Sequence, residues 1–259
     1  MNRLGTVLAV AGALAVGAWL LWPKEGADGP AAPAVPLTVV DPATAGSVQG
    51  VIRFEGAPPS PAFIDMSSKS ECHGLHADRV SDGKLLVKGG KLQNALVYVK
   101  SGLEKAVFAV PTDAVVIDQK ACLFSPRVTA LRTGQPLEFV NSDPTQHNVK
   151  TAPDPKYSKG FNLNLARKGS RGQARLSKAE VAVRLSCDYH GWMEAWVAAL
   201  DHPFFQVTGE DGTYSLKGLP PGDYEIAVWH ETLGERSAKV HLDATQREVT
   251  ADFAFPAKP

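Results

Sequence analysis

The sequence predicts an all-β protein with a transmembrane helix at its N-terminus. Apolar and polar residues alternate in several segments, most clearly where Val181, Val183, Leu185 and Cys187 occupy every second position. A period of two is typical of strands with one buried face. Turn-forming stretches such as "NSDP", "GEDGT" and "GLPPG" separate these segments. An uncharged apolar run, Leu4 to Trp22, precedes all of them.

The apolar run spans 19 residues, which is close to the ~20 that an α-helix needs to cross a bilayer. It is long for the core of a signal peptide, and no clear small-residue cleavage motif separates it from Lys24. We therefore predict a transmembrane anchor over residues 1–23 with Arg3 on the cytoplasmic side. A cleaved signal segment is the alternative. Both readings export the remaining chain, to the periplasm or the extracytoplasmic face of the membrane.

Residues 24–46 are rich in Ala and Pro and have no helical period, so they predict a semi-rigid linker. About 210 residues follow it, which is enough for one large or two small domains. Lys plus Arg and Asp plus Glu both number 27. Because no excess of basic charge is present to attract phosphates, we predict that nucleic acid is not a partner.

Three cysteines occur in the chain, Cys72, Cys122 and Cys187. Exported thiols tend to pair, and an odd number leaves one over. We predict a disulfide between Cys72 and Cys122, with Cys187 kept free for another role. The stretch "CHGLH" also brings His73 and His76 close to Cys72 in sequence, so a second metal site that includes Cys122 remains an open alternative.

Four potential metal ligands fall in two separate β-segments. In "TGQPLEFVNSDPTQHNVK", a strand, a turn and a second strand are predicted, and His147 shares a face with Val149. Cys187 ends the alternating strand "EVAVRLSC" on its inward face, and His190 and Met193 follow in a short turn. A thiolate, two imidazoles and a thioether form a soft ligand set that indicates a blue-copper electron-transfer site rather than a zinc site.

These residues carry a family resemblance. The run "LFSPRVTALRTGQPLEFVNSDPTQHNV", followed by "LSCDYHGWM", resembles the cupredoxins, the type 1 blue copper proteins of the amicyanin and plastocyanin kind. The Cys-x2-His-x2-Met loop is similar to the short loop of amicyanin. The resemblance implies a Greek-key β-sandwich over residues 107–200 and one copper ion that cycles between Cu(I) and Cu(II). The ligands that it implies are His147, Cys187, His190 and Met193.

The resemblance also implies roles for two neighbours of the ligands. Asn148 matches the position whose side chain ties the first ligand strand to the cysteine loop, and Trp192 would help to form a dry rim around the copper. Simpler readings stay open: His147 as a turn histidine, Met193 as core filling, and Trp192 with Trp196 as packing residues.

The rest of the exported chain has a second resemblance. The segments "GSVQGVIRFEGAPP", "LQNALVYVKSG" and "VTGEDGTYSLKGLPPGDYEIAVWHE" resemble strands of the carboxypeptidase regulatory-like, or transthyretin-like, β-sandwich. The resemblance implies that residues 47–106 and 201–259 are two parts of one small sandwich, into which the cupredoxin unit is inserted or beside which it packs. Two consecutive sandwiches are the alternative. No nucleophile motif occurs there, so we expect a scaffold.

Four protein ligands leave no open position for a substrate, so we predict an electron carrier and not an enzyme. Multicopper oxidases need further clusters of paired histidines, typically His-x-His units, and the sequence contains none. The histidines outside the predicted site are scattered: His73, His76, His202, His230 and His241. Protein redox partners are expected, such as membrane respiratory complexes or a cytochrome c, with His190 nearest the surface as the electron exit. The alternatives are a copper-binding chaperone or storage protein and a structural β-sandwich protein with a non-redox metal site.

Overall fold

The computed structural model describes residues 36–151 and 159–257, and their regular structure is almost entirely β. The prediction of an all-β fold is confirmed. In the described part, a single turn, Ser70–His73 (α1), is the one helix, and no helix there is long and apolar enough to span a bilayer. The predicted anchor, residues 1–23, and residues 24–35 of the predicted linker lie outside the described residues. The end of that linker contacts the folded part, since the Thr38 amide donates to the Val107 carbonyl at 2.6 Å.

Nineteen strands follow one another along the described residues. They are Gly46–Glu55 (β1), Val87–Lys88 (β2), Lys91–Leu92 (β3), Leu96–Ser101 (β4), Val115–Lys120 (β5), Leu123–Ser125 (β6), Val128–Arg132 (β7), Leu137–Asn141 (β8), His147–Thr151 (β9), Asn162–Leu165 (β10), Arg171–Ala174 (β11), Glu180–Ser186 (β12), Glu194–Leu200 (β13), Phe205–Val207 (β14), Thr213–Leu219 (β15), Gly222–His230 (β16), Gly234–Leu242 (β17), Glu248–Thr250 (β18) and Phe253–Pro256 (β19).

The flanking strands β1–β4 and β14–β19 form two sheets. One sheet has six strands in which β1 pairs with β15, β3, β18 and β19, while β2 pairs with β3. The other has the order β14-β4-β16-β17. Tyr224, Ile226 and Val228 share the buried face of β16, as their alternation predicts. In the described chain these strands pair with one another, although the middle strands separate β1–β4 from β14–β19 in sequence.

The middle strands β5–β13 form the other two sheets, in the orders β10-β9-β12-β13-β7 and β11-β8-β5-β6. β7 pairs parallel with β13, and β5 pairs parallel with β8, so strands distant in sequence become neighbours. Leu137 and Phe139 both point into the core between these two sheets, as predicted, and each has an exposure of 0%. This core also contains the predicted ligands Cys187 and Met193.

The two sandwiches share a third buried core, in which β4 and β16 of one face β7 and β13 of the other. Along β4, Leu96 and Tyr98 enter this shared core, whereas Val97 and Val99 enter the core of their own sandwich. Because both faces of β4 are covered, the strand is apolar at consecutive positions instead of alternating.

A β-bulge interrupts the alternation of β12. The pairing of β12 with β13 shifts register between Glu180 and Val183, and Ala182 has a φ of 66°. As a result Val181 packs against the core shared by the two sandwiches, whereas Val183 and Leu185 enter the core that contains Cys187. The prediction that all four alternating residues face one way is therefore wrong for Val181, because an extra residue reverses the side-chain direction.

A loop from the N-terminal part of the chain, residues 62–82, covers one end of the middle sandwich and is called the cap below. Backbone hydrogen bonds close its neck, from Asp82 to Ala62 and from Ile64 to Val80, each at 2.9 Å. Inside the cap, α1 places Cys72 in the core of the middle sandwich, where it forms a disulfide with Cys122. The predicted disulfide is therefore present.

Candidate metal centre

His147 is held at the start of β9 by an ordered loop. The Asn141 side chain, which has an exposure of 0%, donates to the Thr145 carbonyl at 2.8 Å and to the Leu165 carbonyl at 2.9 Å. Its side-chain oxygen accepts from the Asp143 amide at 2.9 Å. One buried amide thus holds together the loop that leads into His147.

The other three predicted ligands lie on the short connection between β12 and β13. Cys187 follows the last residue of β12, and the Met193 amide donates to the His190 carbonyl at 2.9 Å, which closes a tight turn. All three side chains are buried, with exposures of 4% for Cys187, 1% for His190 and 1% for Met193.

The structure brings three of the predicted ligands together. The ligand atoms of His147, Cys187 and His190 all lie within 4.8 Å of one another. The two Nδ1 atoms are 3.0 Å apart, and Cys187 Sγ is 3.9 Å from His190 Nδ1. Bonds of about 2.0 Å to nitrogen and about 2.3 Å to sulfur can be made to a single ion at these two separations. The ligand atoms of these three residues therefore fit one metal ion, and Met193 is buried in the same core as Cys187.

Hydrogen bonds prepare the Cys187 sulfur for the thiolate form. Burial opposes ionisation, but contacts with the His147 and His190 rings and hydrogen bonds from the backbone amides of Asn148 and His190 outweigh it, and the pKa of Cys187 falls to about 6. The pKa of His147 is raised, because contacts with Asp143 and Cys187 outweigh the opposing effect of burial. A thiolate is the form of cysteine that binds a metal.

Asn148 ties the two ligand segments together. Its side-chain oxygen accepts from the Asp188 amide at 2.7 Å, next to Cys187. Its side-chain nitrogen donates to Asp188 Oδ2 and to Asn162 Oδ1, both at 2.8 Å. The strand with His147 and the loop with Cys187 are thereby held at a fixed separation.

Asp143 is a feature of the site that the sequence analysis missed. Its Oδ2 atom is 2.9 Å from His147 Nε2, and the side-chain exposures are 4% and 0%. The same carboxylate accepts from the backbone amides of Ala121 and Cys122 at 2.6 and 2.7 Å. The one available sequence signal was an acid four residues before the histidine in "SDPTQH", which by itself is a common turn composition.

The disulfide lies against the other side of the ligand pair. The sulfurs of Cys72 and Cys122 are within 4.8 Å of a His190 ring nitrogen. The Trp192 indole donates to the Cys122 carbonyl at 3.0 Å, and its ring centroid is 5.4 Å from that of His190. His190 was expected nearest the surface, yet it is buried beside this disulfide and indole.

The alternative second metal site does not form in the described structure. Cys72 and Cys122 are joined to each other, His73 is exposed, and His76 Nε2 lies 2.8 Å from the Ala121 carbonyl. His76 thus attaches the cap to the turn between β5 and β6. The reason is that a disulfide and a backbone contact use the atoms that a metal would need.

No protein-family model matches the chain, and no curated protein matches it. The resemblance of the flanking sandwich to the carboxypeptidase regulatory-like module therefore stays a prediction. Partial matches exist among solved structures, and several of these are cupredoxins.

A copper-containing nitrite reductase from Thermus scotoductus SA-01 is 20% identical, with a TM-score of 0.32; the match covers 40% of this chain but 25% of the reductase. The oxidised state of an amicyanin mutant is 16% identical over 33% of this chain and 81% of amicyanin, with a TM-score of 0.30. A purple cupredoxin from Nitrosopumilus maritimus is 22% identical over 34% of this chain and 99% of that protein, with a TM-score of 0.28.

Proposed function

We propose that this protein is an exported, membrane-tethered, mononuclear type 1 copper protein that transfers single electrons between protein partners. The observation that carries the proposal is the convergence of one buried cysteine sulfur and two buried imidazole nitrogens, from two segments of the sandwich, within 4.8 Å. The buried Met193 in the same core supplies the thioether that such a site uses as a weak fourth ligand.

The donor set favours copper over zinc. Structural zinc sites use four strong ligands, whereas here the fourth is a thioether. A bound copper ion would supply the one-electron redox chemistry. The protein's part is to hold His147 through Asp143 and to hold the cysteine loop through Asn148. Because both contacts come from buried side chains, the ligand positions need little rearrangement between the two charge states of the site.

The burial of the site supports a carrier in preference to a catalyst. His147, Cys187, His190 and Met193 have exposures between 0% and 4%. A catalytic metal site keeps a position open for water or substrate, and these four side chains leave none in the proposed ligand set. The second sandwich then serves as a scaffold that covers the outer face of β13.

The tether and the partners are also part of the proposal. The apolar run from Leu4 to Trp22 and the Ala- and Pro-rich linker support an anchored protein outside the cytoplasm. Confinement to a membrane raises the effective concentration of the copper site near membrane respiratory complexes or a membrane-associated cytochrome c.

The test is the visible spectrum of the Cu(II)-loaded protein. We expect an intense charge-transfer band from the thiolate in the orange-red region, and we expect Cys187→Ser to abolish it. Ser186→Ala, one residue earlier, is the matched control and should keep the band. A colourless wild-type protein that binds zinc as tightly as copper would overturn the proposal and favour a structural metal site. Rapid loss of copper to weak chelators would favour a store or chaperone.

A further inference from the structure

We propose that Asp143 is a positioning residue that decides which nitrogen of His147 faces the metal, and that the disulfide-bonded turn at Ala121 and Cys122 holds Asp143 in place. The metal-affinity part of this inference rests on the proposed function. The orientation of His147 in the metal-free protein does not.

The first step concerns the hydrogen atom on the His147 ring. An ionised carboxylate only accepts hydrogen bonds, so Nε2 of His147, 2.9 Å from Asp143 Oδ2, carries the proton and donates it. In the neutral ring this leaves the lone pair on Nδ1. That atom is the one that faces His190 Nδ1 at 3.0 Å. The carboxylate therefore selects the tautomer that can bind an ion between the two histidines.

The second step concerns what holds the carboxylate. Ala121 and Cys122 have φ values of 53° and 54°, and successive amides in such a turn form a concave anion site. Oδ1 of Asp143 accepts from the Ala121 amide, and Oδ2 accepts from the Cys122 amide as well as from His147. Three donors thus meet two oxygen atoms, and the carboxylate has one orientation that satisfies them all.

The third step links this turn to the rest of the site. The disulfide joins Cys122 to the cap, and the Trp192 indole donates to the Cys122 carbonyl. His76 contacts the Ala121 carbonyl from the cap. One two-residue turn therefore contacts the surroundings of both metal-binding histidines: His147 through Asp143, and His190 through the disulfide and Trp192.

The experiment compares Asp143→Asn and Asp143→Glu with wild type. An asparagine side chain has one acceptor oxygen, and its NH₂ group opposes a backbone or ring donor however it is turned. Asp143→Asn should therefore loosen His147, whereas Asp143→Glu keeps the charge and restores part of the effect. Asp118→Asn is the matched control, because the Asp118 side chain accepts from Ser142, just after β8, and has no hydrogen bond to His147 or Asp143 among the described residues.

Two measurements are made. Nitrogen NMR of the metal-free protein, at a pH where the imidazoles are neutral, should show His147 with its proton on Nε2 in wild type and Asp118→Asn and a mixture of tautomers in Asp143→Asn. Competition with a copper chelator should show a 10- to 100-fold loss of affinity for Asp143→Asn, a smaller loss for Asp143→Glu and less than a twofold change for the control.

The outcomes separate the two proposals. A wild-type His147 with its proton on Nδ1 overturns the role of Asp143 without any variant, so the test does not depend on whether Asp143→Asn folds. Unchanged tautomer and affinity in Asp143→Asn overturn it too. If the tautomer changes as expected but wild type shows no thiolate–copper band, the role of Asp143 stands and the electron-carrier proposal fails.

Discussion

At the scale of single residues, the chemistry of the site is concentrated in one sulfur atom. Cys187 is buried, which alone would keep the thiol protonated, yet contacts with both imidazole rings and hydrogen bonds from two backbone amides favour the thiolate. The same contacts that prepare the sulfur for a metal should be measurable before any metal is added.

In the metal-free protein, the thiolate of Cys187 should appear with a midpoint at about pH 6, compared with 9.0 for an unperturbed thiol. The folded-state pKa lies below the unfolded value, so this group contributes stability that is fully present above the unfolded pKa and is lost as the pH falls through the folded pKa. Ultraviolet titration of the thiolate measures the midpoint. Cys187→Ser should lack both the absorbance change and that part of the pH dependence of unfolding. A midpoint near 9 would contradict the prediction.

Asn148→Ala should destabilise the metal-free protein by about 2 kcal/mol, because the Asp188 amide and the Asn162 side chain lose their partner. Chemical denaturation measures the change in the free energy of unfolding. Gln146→Ala is a matched control, since Gln146 also bridges two segments, to Asn164 and Tyr189, but through exposed hydrogen bonds. The free energy of unfolding of the control should change by less than about 0.5 kcal/mol. Equal changes in the two variants would show that Asn148 has no special role in holding the two ligand segments together.

At the scale of elements, the cap is the part of the fold that a local reading of the sequence does not anticipate. Residues 62–82 precede the middle strands by a long stretch of chain, yet Met66 and Cys72 complete the core around the candidate ligands. The cap brings the disulfide against His190, so it covers that side of the site.

Replacing both Cys72 and Cys122 by Ala should lower the free energy of unfolding by about 4 kcal/mol, from the loop entropy of a link that spans 50 residues. It should also expose His190 and speed the transfer of copper to an external chelator. Denaturation and stopped-flow absorbance measure the two effects. Leu75→Ala, on the exposed surface of the cap, should change neither, and an unchanged transfer rate in the double variant would show that the cap does not limit access.

At the scale of the whole molecule, residues 36–151 and 159–257 form four sheets around three buried cores, one of which connects the two sandwiches. Arg127 lies at this junction. It is paired with Glu231, with side-chain exposures of 15% and 3%, and it also contacts Glu194. The Trp196 indole donates to Glu231 at 3.1 Å, and its ring packs on Trp229. A substitution that weakens this junction should therefore also disturb the metal centre, because β13 contributes side chains to both cores.

Glu231→Ala should destabilise the protein by about 3 kcal/mol, because it leaves the Arg127 guanidinium largely buried without its main partner. Far-ultraviolet circular dichroism and the copper band should be lost in one common transition, at a lower temperature than in wild type. Glu210→Ala, which removes an exposed pair with Lys88, should leave the transition temperature close to that of wild type, because solvent screens this pair. Two separate transitions in wild type would show that the sandwiches unfold independently.

Local patterns were sufficient to predict much of this protein. The donor types at His147, Cys187, His190 and Met193, the inward faces of β8 and β16 and the all-β class follow from side-chain chemistry and a period of two, which are properties of short stretches of chain. Where one added residue breaks the period, as at Ala182, the same reasoning assigned Val181 to the wrong face.

Only the tertiary structure decided what surrounds the ligands. The contact of Asp143 with the turn at Ala121 and Cys122, the burial of His190 by the cap and the double-sided burial of β4 all join segments that are far apart in sequence. Such contacts depend on which surfaces pack together, and packing is determined by the shape of the whole core rather than by any local period.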